Sequence, residues 1–186
     1  MRKLIIILSM VAALTGCKSA SAPKRAINDS GMMYAMVYDY ENTPVSGASI
    51  FINGKKYIET DLQGRFILEF RKGGEYTIRV EKLNYEVLED TFSYDPMNVL
   101  YFKMINASQL LSQAEEALDQ YSYAEAELFI GRALALEPNR PDLLYFQSIV
   151  FYRQERNDEA RAILESLLYN GMKGDYIIEF LKLLTN

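Results

Sequence analysis

Five pairs of positions in the C-terminal half of this chain repeat at a single interval. Leu110 and Leu144, Ala117 and Phe151, Ala126 and Ala160, Ile130 and Leu164, and Ala133 and Leu167 each lie 34 residues apart. Apolar residues within each stretch recur at helical spacing, so one unit is a pair of amphipathic helices. Such a unit cannot bury its apolar face alone, and the repetition therefore imposes stacking of one helix pair on the next. The small side chains Ala126, Ala133 and Ala160 allow close helix contact. Boundaries are written locally as well: Asn106 stands three residues before Gln109, and Ser122 three before Glu125, both capping-box spacings. Pro138 ends the first unit, Asn170-Gly171 stops the fourth helix, and Asp175 opens a last one toward Leu184. These signals divide residues 106–186 into units 107–140 and 141–174 and a closing helix 175–186. The competing arrangement is a five-helix bundle whose spacing is accidental.

The preceding stretch has a different texture. Short alternating runs separated by turn residues predict strands over Met32 to Tyr40, Ala48 to Ile52, Tyr57 to Thr60 and Arg65 to Phe70, then Glu75 to Val80, Glu86 to Phe92 and Val99 to Met104. Asn53-Gly54 supplies the left-handed positions of a tight hairpin. Phe66, Leu68 and Phe70 share one face, and Tyr76, Ile78 and Val80 point inward between outward Glu75, Thr77 and Arg79. Gly47, Gly64 and Gly73 stand where backbone freedom is needed. The pattern gives an α+β chain of two domains: a small antiparallel β-sandwich over 31–104, then a short α-α solenoid. Only Ile105 and Asn106 separate the last strand from the first helix, so the sandwich is expected to pack on the first helix pair and cap it.

At the N-terminus, Arg2 and Lys3 precede a segment, Leu4 to Leu14, that is apolar apart from Ser9. It is too short to span a bilayer and reads as a secretory signal. Leu14-Thr15-Gly16-Cys17, which holds the only cysteine, resembles the lipobox of bacterial lipoproteins. The resemblance implies a signal peptide over 1–16, cleavage after Gly16, and diacylglycerol on the Cys17 thiol. Two acyl chains anchor a protein stably. Lys18 to Ser30 has no apolar period, so residues 17–30 form the lipidated cysteine and its tether. The resemblance places the protein in the bacterial cell envelope. In a Gram-negative cell, the lack of aspartate after the cysteine implies the outer membrane. The plainer alternative is an ordinary cleaved signal beside an incidental buried cysteine.

Composition removes several classes of function. The chain has no histidine, which excludes imidazole from base, triad and zinc-ligand schemes. With Cys17 acylated, thiol catalysis and disulfides go too. Losing residues 1–16 removes two positive charges and no negative one, so the net charge moves from -5 to -7. That is no nucleic-acid footprint. Glu115 and Asp119 are neighbours on one helix face, without an apolar pocket to raise a pKa. Asp61 and Asp95 lie in turns that lack a calcium-loop pattern. The expectation is a protein with no catalytic residues, cofactor or metal.

Pro44-Val45-Ser46-Gly47-Ala48-Ser49-Ile50, Thr60-Asp61, Gly64-Arg65-Phe66, Tyr76-Thr77-Ile78-Arg79-Val80 and Leu83-Asn84-Tyr85 resemble the carboxypeptidase regulatory-like, transthyretin-like β-sandwich. Asn84 departs from the glycine frequent there. PEGA-type surface modules, which share the Asn-Gly hairpin, are the second resemblance. The repeat with Tyr123-Ala124-Glu125-Ala126 and Asn157-Asp158-Glu159-Ala160 resembles tetratricopeptide (TPR) repeats. Gln113 and Ser148 replace more typical hydrophobic and glycine choices. The resemblance implies a concave groove lined by the first helix of each pair, for peptides or helices of other proteins. By helical phase it would contain Leu111, Glu115, Leu118 and Asp119, then Asp142, Tyr145, Ile149, Tyr152 and Arg153, then Tyr176 and Glu179. Leu111 and Asp119 stand where a clamp for a C-terminal carboxylate would need cationic or amide groups. The function expected is a membrane-anchored adaptor for another envelope protein or peptide. The rivals are a glycan- or cell-wall-binding sandwich using Tyr34, Tyr38, Tyr57, Tyr85 and Tyr94, and simple self-association.

Overall fold

A computed structural model describes residues 31–70, 74–95, 97–172 and 174–185. The expected signal peptide, Cys17, the tether and Gly73 lie outside the described residues. Among the described residues seven strands come first: β1 (Gly31–Asp39), β2 (Ser49–Ile52), β3 (Lys55–Glu59), β4 (Arg65–Phe70), β5 (Glu75–Glu81), β6 (Leu88–Ser93) and β7 (Leu100–Met104). They form two sheets, with strand orders β4-β1-β7 and β3-β2-β5-β6. Alternation along β4 buries Phe66, Leu68 and Phe70, which meet Met33, Val37, Ile50, Ile78 and Val80 in one cluster. Asn53 (φ 49°) and Gly54 (φ 76°) form the β2–β3 turn with both central residues left-handed. Thr60 is buried and staples the crossing before β2, its hydroxyl donating to the Val45 carbonyl (2.6 Å) and accepting from Ala48 N–H (2.9 Å).

Three local expectations are corrected. The sandwich is not wholly antiparallel: β1 and β7 run parallel, Ala35 beside Leu100 and Asp39 beside Met104. The chain changes sheets between β6 and β7, so no hairpin fixes the direction of β7. The sixth strand starts at Leu88 rather than Glu86, because Tyr85 bridges to Asn106 and Glu86 N–H donates to the Ile105 carbonyl (2.9 Å). Ser122 precedes its helix, yet its side chain makes no cap bond; its backbone carbonyl takes the Glu125 N–H instead (3.0 Å). The Asn106–Gln109 capping box is complete, with reciprocal bonds of 3.0 and 3.3 Å.

Among the described residues five helices follow: α1 (Ala107–Asp119), α2 (Tyr123–Leu136), α3 (Pro141–Arg153), α4 (Asn157–Tyr169) and α5 (Asp175–Leu183). Each packs on the next in sequence. The starts of α1, α3 and α5, at 107, 141 and 175, are 34 apart, as are those of α2 and α4, at 123 and 157. The turns repeat too. Tyr121 and Glu155 are both left-handed, at φ 59° and 62°, and each helix end closes with paired bonds: Ser122 N–H to Ala117 O and Tyr121 N–H to Leu118 O, then Arg156 N–H to Phe151 O and Glu155 N–H to Tyr152 O. Ala126, Ile130 and Ala133 are buried in α2, and Ala160, Leu164 and Leu167 at the matching places of α4. None of the described helices is long and apolar enough to cross a membrane.

The sandwich meets the helices through a narrow joint. Its buried cluster holds no helix residue, and the strand side contributes Ile105 to the helical cluster. The remaining clasp is polar: Arg132 of α2 grips Glu86 with Nε–Oε1 at 2.8 Å and Nη2–Oε2 at 2.7 Å. Where the sandwich is expected to cap the first helix pair, the contact consists of one buried isoleucine, the backbone contacts of Tyr85 and Glu86 with residues 105–106, and the Glu86–Arg132 ion pair.

Candidate functional site

On α3, Tyr145, Ile149 and Tyr152 are spaced four and three residues apart and share one face. Tyr176, Glu179, Phe180 and Leu183 do the same on α5. The two stripes enclose a groove of about 340 Å³, with Arg153 at its margin. Its floor is Phe180, which is buried, with Tyr145 half-buried beside it. Tyr145 meets Tyr176 edge-on at 5.0 Å and Phe180 at 6.1 Å, and Tyr152 meets Phe180 at 5.4 Å. Edge-to-face contacts of this kind fix ring orientation and add about 0.5–1.5 kcal/mol per pair beyond buried area. Burial, then the neighbouring Tyr176, pushes the Tyr145 phenol up from its ordinary pKa, so it stays protonated at neutral pH. Tyr152 and Tyr176 remain 38% and 44% exposed, which leaves their ring surfaces available from solvent.

Six of the sequence-predicted groove residues come together here: Tyr145, Ile149, Tyr152, Arg153, Tyr176 and Glu179. The others lie apart from this cavity. Leu111 and Leu118 are half-buried on α1 and pack, with Ile149, against the first helical cluster. Glu115 and Asp119 are exposed on α1. Asp142 is held by Arg140, with Nη2–Oδ2 at 2.8 Å and Nε–Oδ1 at 2.9 Å, while Arg140 Nη1 also donates to Ser108 Oγ at 2.9 Å. That guanidinium keeps the Asp142 carboxyl below its usual range and makes it part of a tie between α1 and α3. Sequence reasoning missed Phe180 and Leu183. The signal was present, since both continue the stripe of Tyr176 at helical spacing.

The two helix pairs are joined by a second polar cluster. Arg156 donates to both Glu127 oxygens at 2.8 Å and to Glu159 at 2.7 Å, and its guanidinium lies 4.0 Å above the Phe151 ring. Gln154 Nε2 adds a 2.9 Å bond to Glu127. The cluster ties α2 to the start of α4.

On the sandwich, a depression of about 400 Å³ is lined by Tyr34, Ile58, Glu59, Asp61, Arg65, Phe66 and Ile67. Its polar groups are already engaged: Glu59 with Lys56 at 2.7 Å and Asp61 with Arg65 at 3.1 Å. Tyr85 and Tyr94 pack against the sandwich core, Tyr57 accepts the Glu69 N–H at 2.9 Å, and Tyr38 is half-buried. Tyr34 is 57% exposed.

No protein-family profile matches the chain. No curated protein matches it. Among solved structures it is similar to BcpA, the major pilin subunit of Bacillus cereus, at 15% identity and a TM-score of 0.33, over 41% of this chain and 28% of that one. It is similar to the Bacillus anthracis TIE protein at 17% identity and a TM-score of 0.36, over 42% and 17% of the two chains. For a streptococcal ancillary pilin the values are 21%, 0.34, 42% and 30%. The chain thus spans less than a third of each of these three structures.

Proposed function

We propose that this chain is a non-enzymatic envelope lipoprotein, anchored through Cys17, whose helices form a short tetratricopeptide array that binds another envelope protein or peptide. The reading of the sandwich as a carboxypeptidase regulatory-like module belongs to the same proposal. Support for the array comes from helix starts, buried positions and left-handed turns that all recur at 34 residues. The observation that carries the function is the aromatic groove between α3, the first helix of the second unit, and the closing helix α5, with Tyr152 and Tyr176 partly open to solvent. Aromatic side chains with few torsions, set on rigid helices, bind at low entropic cost.

Crosslinking the full chain in its own membranes tests this. Wild type should yield a discrete adduct with another protein, and Tyr145→Ala/Tyr152→Ala should lose it while keeping its helical circular dichroism. An adduct that survives in the folded double variant, or no adduct in either, contradicts a groove-mediated adaptor. The second reading, glycan or cell-wall binding by the sandwich, is favoured by one feature, the exposed Tyr34 above its apolar depression.

A further inference from the structure

We infer that the segment bound in this groove is basic and carries one large apolar anchor, an inference that rests on the adaptor reading above. The anchor follows from the cavity: a volume of about 340 Å³ walled by Tyr145, Tyr152, Tyr176 and Phe180 suits a bulky apolar side chain rather than a polar one. The charge follows from which groups are already paired. Asp142 is held by Arg140, and Glu127 and Glu159 by Arg156. Arg153 and Glu179, on opposite walls of the groove, offset one another in charge and have no ion-pair partner among the described residues.

Glu115 and Asp119 are both exposed on α1 and neither is in an ion pair among the described residues, as is also true of Glu116, Glu125, Glu155, Glu165 and Asp175 elsewhere on the helices. Glu115 and Asp119 lie on the α1 face that carries Leu111 and Leu118, which, like Ile149 of the groove wall, are partly buried against the first helical cluster. The background has the same sign, because residues 107–186 hold thirteen acidic and seven basic side chains. An acidic segment would meet two unpaired carboxylates, whereas a basic one gains charge-assisted bonds and faster encounter.

Geometry also sets a spacing. Packed helices lie about 8–10 Å apart, and the aromatic cup sits between α3 and α5, so the α1 carboxylates stand roughly 12–15 Å from the anchor. An extended chain covers that distance in about four residues. The bound segment therefore has lysine or arginine about four residues from a leucine, phenylalanine, methionine or tryptophan.

The test is selection from a displayed library of random peptides, about twelve residues long so as to exceed the predicted spacing, on the full chain and on its Glu115→Gln/Asp119→Asn variant. Both changes are at exposed positions, so circular dichroism should match that of wild type. Wild type should enrich basic segments with the anchor at that spacing, and the variant should keep the anchor but lose the basic preference. Enrichment of acidic or uncharged segments, a basic preference that persists in the variant, or no enrichment at all overturns the inference. Uncharged segments that wild type selects and Tyr145→Ala/Tyr152→Ala does not would sink the charge argument and leave the adaptor reading standing. Absence of any tyrosine-dependent adduct in membranes overturns that reading itself.

Discussion

At Gly64 the backbone lies at φ 71°, and a Cβ there would overlap the Val37 carbonyl oxygen. The turn is built around this approach: Asp61 Oδ1 accepts from Gln63 and Arg65 N–H at 2.8 Å each, and Val37 N–H donates to the Gly64 carbonyl at 2.8 Å. Gly54 has a similar φ of 76° but open space around it. Gly64→Ala should therefore cost roughly 2 kcal/mol or more, and Gly54→Ala only about 1, from backbone strain alone. Urea denaturation of the two variants checks this, and equal losses would contradict the packing account. Asn84 illustrates the same physics more mildly. It adopts φ 65°, and asparagine tolerates that conformation. Tyr145 and Tyr152 posed a choice between packing and binding that residue type alone could not decide. In the structure each touches the α5 aromatics and also lines a cavity.

Among the elements, the helices were the most legible in sequence, because each unit repeats the same burial problem and so the same spacing. The Asn106–Gln109 box was equally readable, since a cap is a local bond. What failed was non-local. Alternation is the same in parallel and antiparallel strands, so the β1–β7 direction left no mark. The Glu86–Arg132 clasp joins residues 46 apart with no spacing rule to announce it. Lys182 carries a subtler message. Ala114 and Ser148 are fully buried, and 34 residues on stands exposed Lys182, so a helix laid on α5 as α2 lies on α1 would have to bury an ammonium.

The clasp makes a prediction at this same scale. Hydrogen bonds from Arg132 hold the Glu86 carboxyl below its ordinary value of 4.5, against the opposing effect of burial. A carboxyl with a depressed folded-state pKa stabilises above its unfolded value and loses that stabilisation as pH falls through the folded one. Both side chains are about a third exposed, so Glu86→Gln should cost only about 0.5–1 kcal/mol at pH 7. The difference between wild type and variant should shrink below pH 4.5. A gap that stays constant down to pH 3 would mean that the ion pair is not its source.

For the whole molecule, one apolar cluster in the sandwich and two along the helices, with Ile105, the Tyr85–Asn106 bridge and the Glu86–Arg132 ion pair at the joint, divide the described residues into a sandwich nearer the N-terminus and a helical half that carries the groove. On the proposed reading, the sandwich sets the distance between the lipid anchor and the array, and the array does the binding. Sequence alone supplied the order of strands then helices, five of the sandwich cluster's fourteen buried residues and six of the groove's eight lining residues. It did not supply the groove's depth, because that depends on Phe180 meeting two tyrosines from another helix. The most direct test places a photo-crosslinking residue at Tyr152 in one strain and at Tyr34 in another, followed by irradiation of intact cells. Groove-mediated binding predicts a discrete protein adduct from position 152 and none from position 34. An adduct from position 34 alone would contradict it and move the working surface to the sandwich.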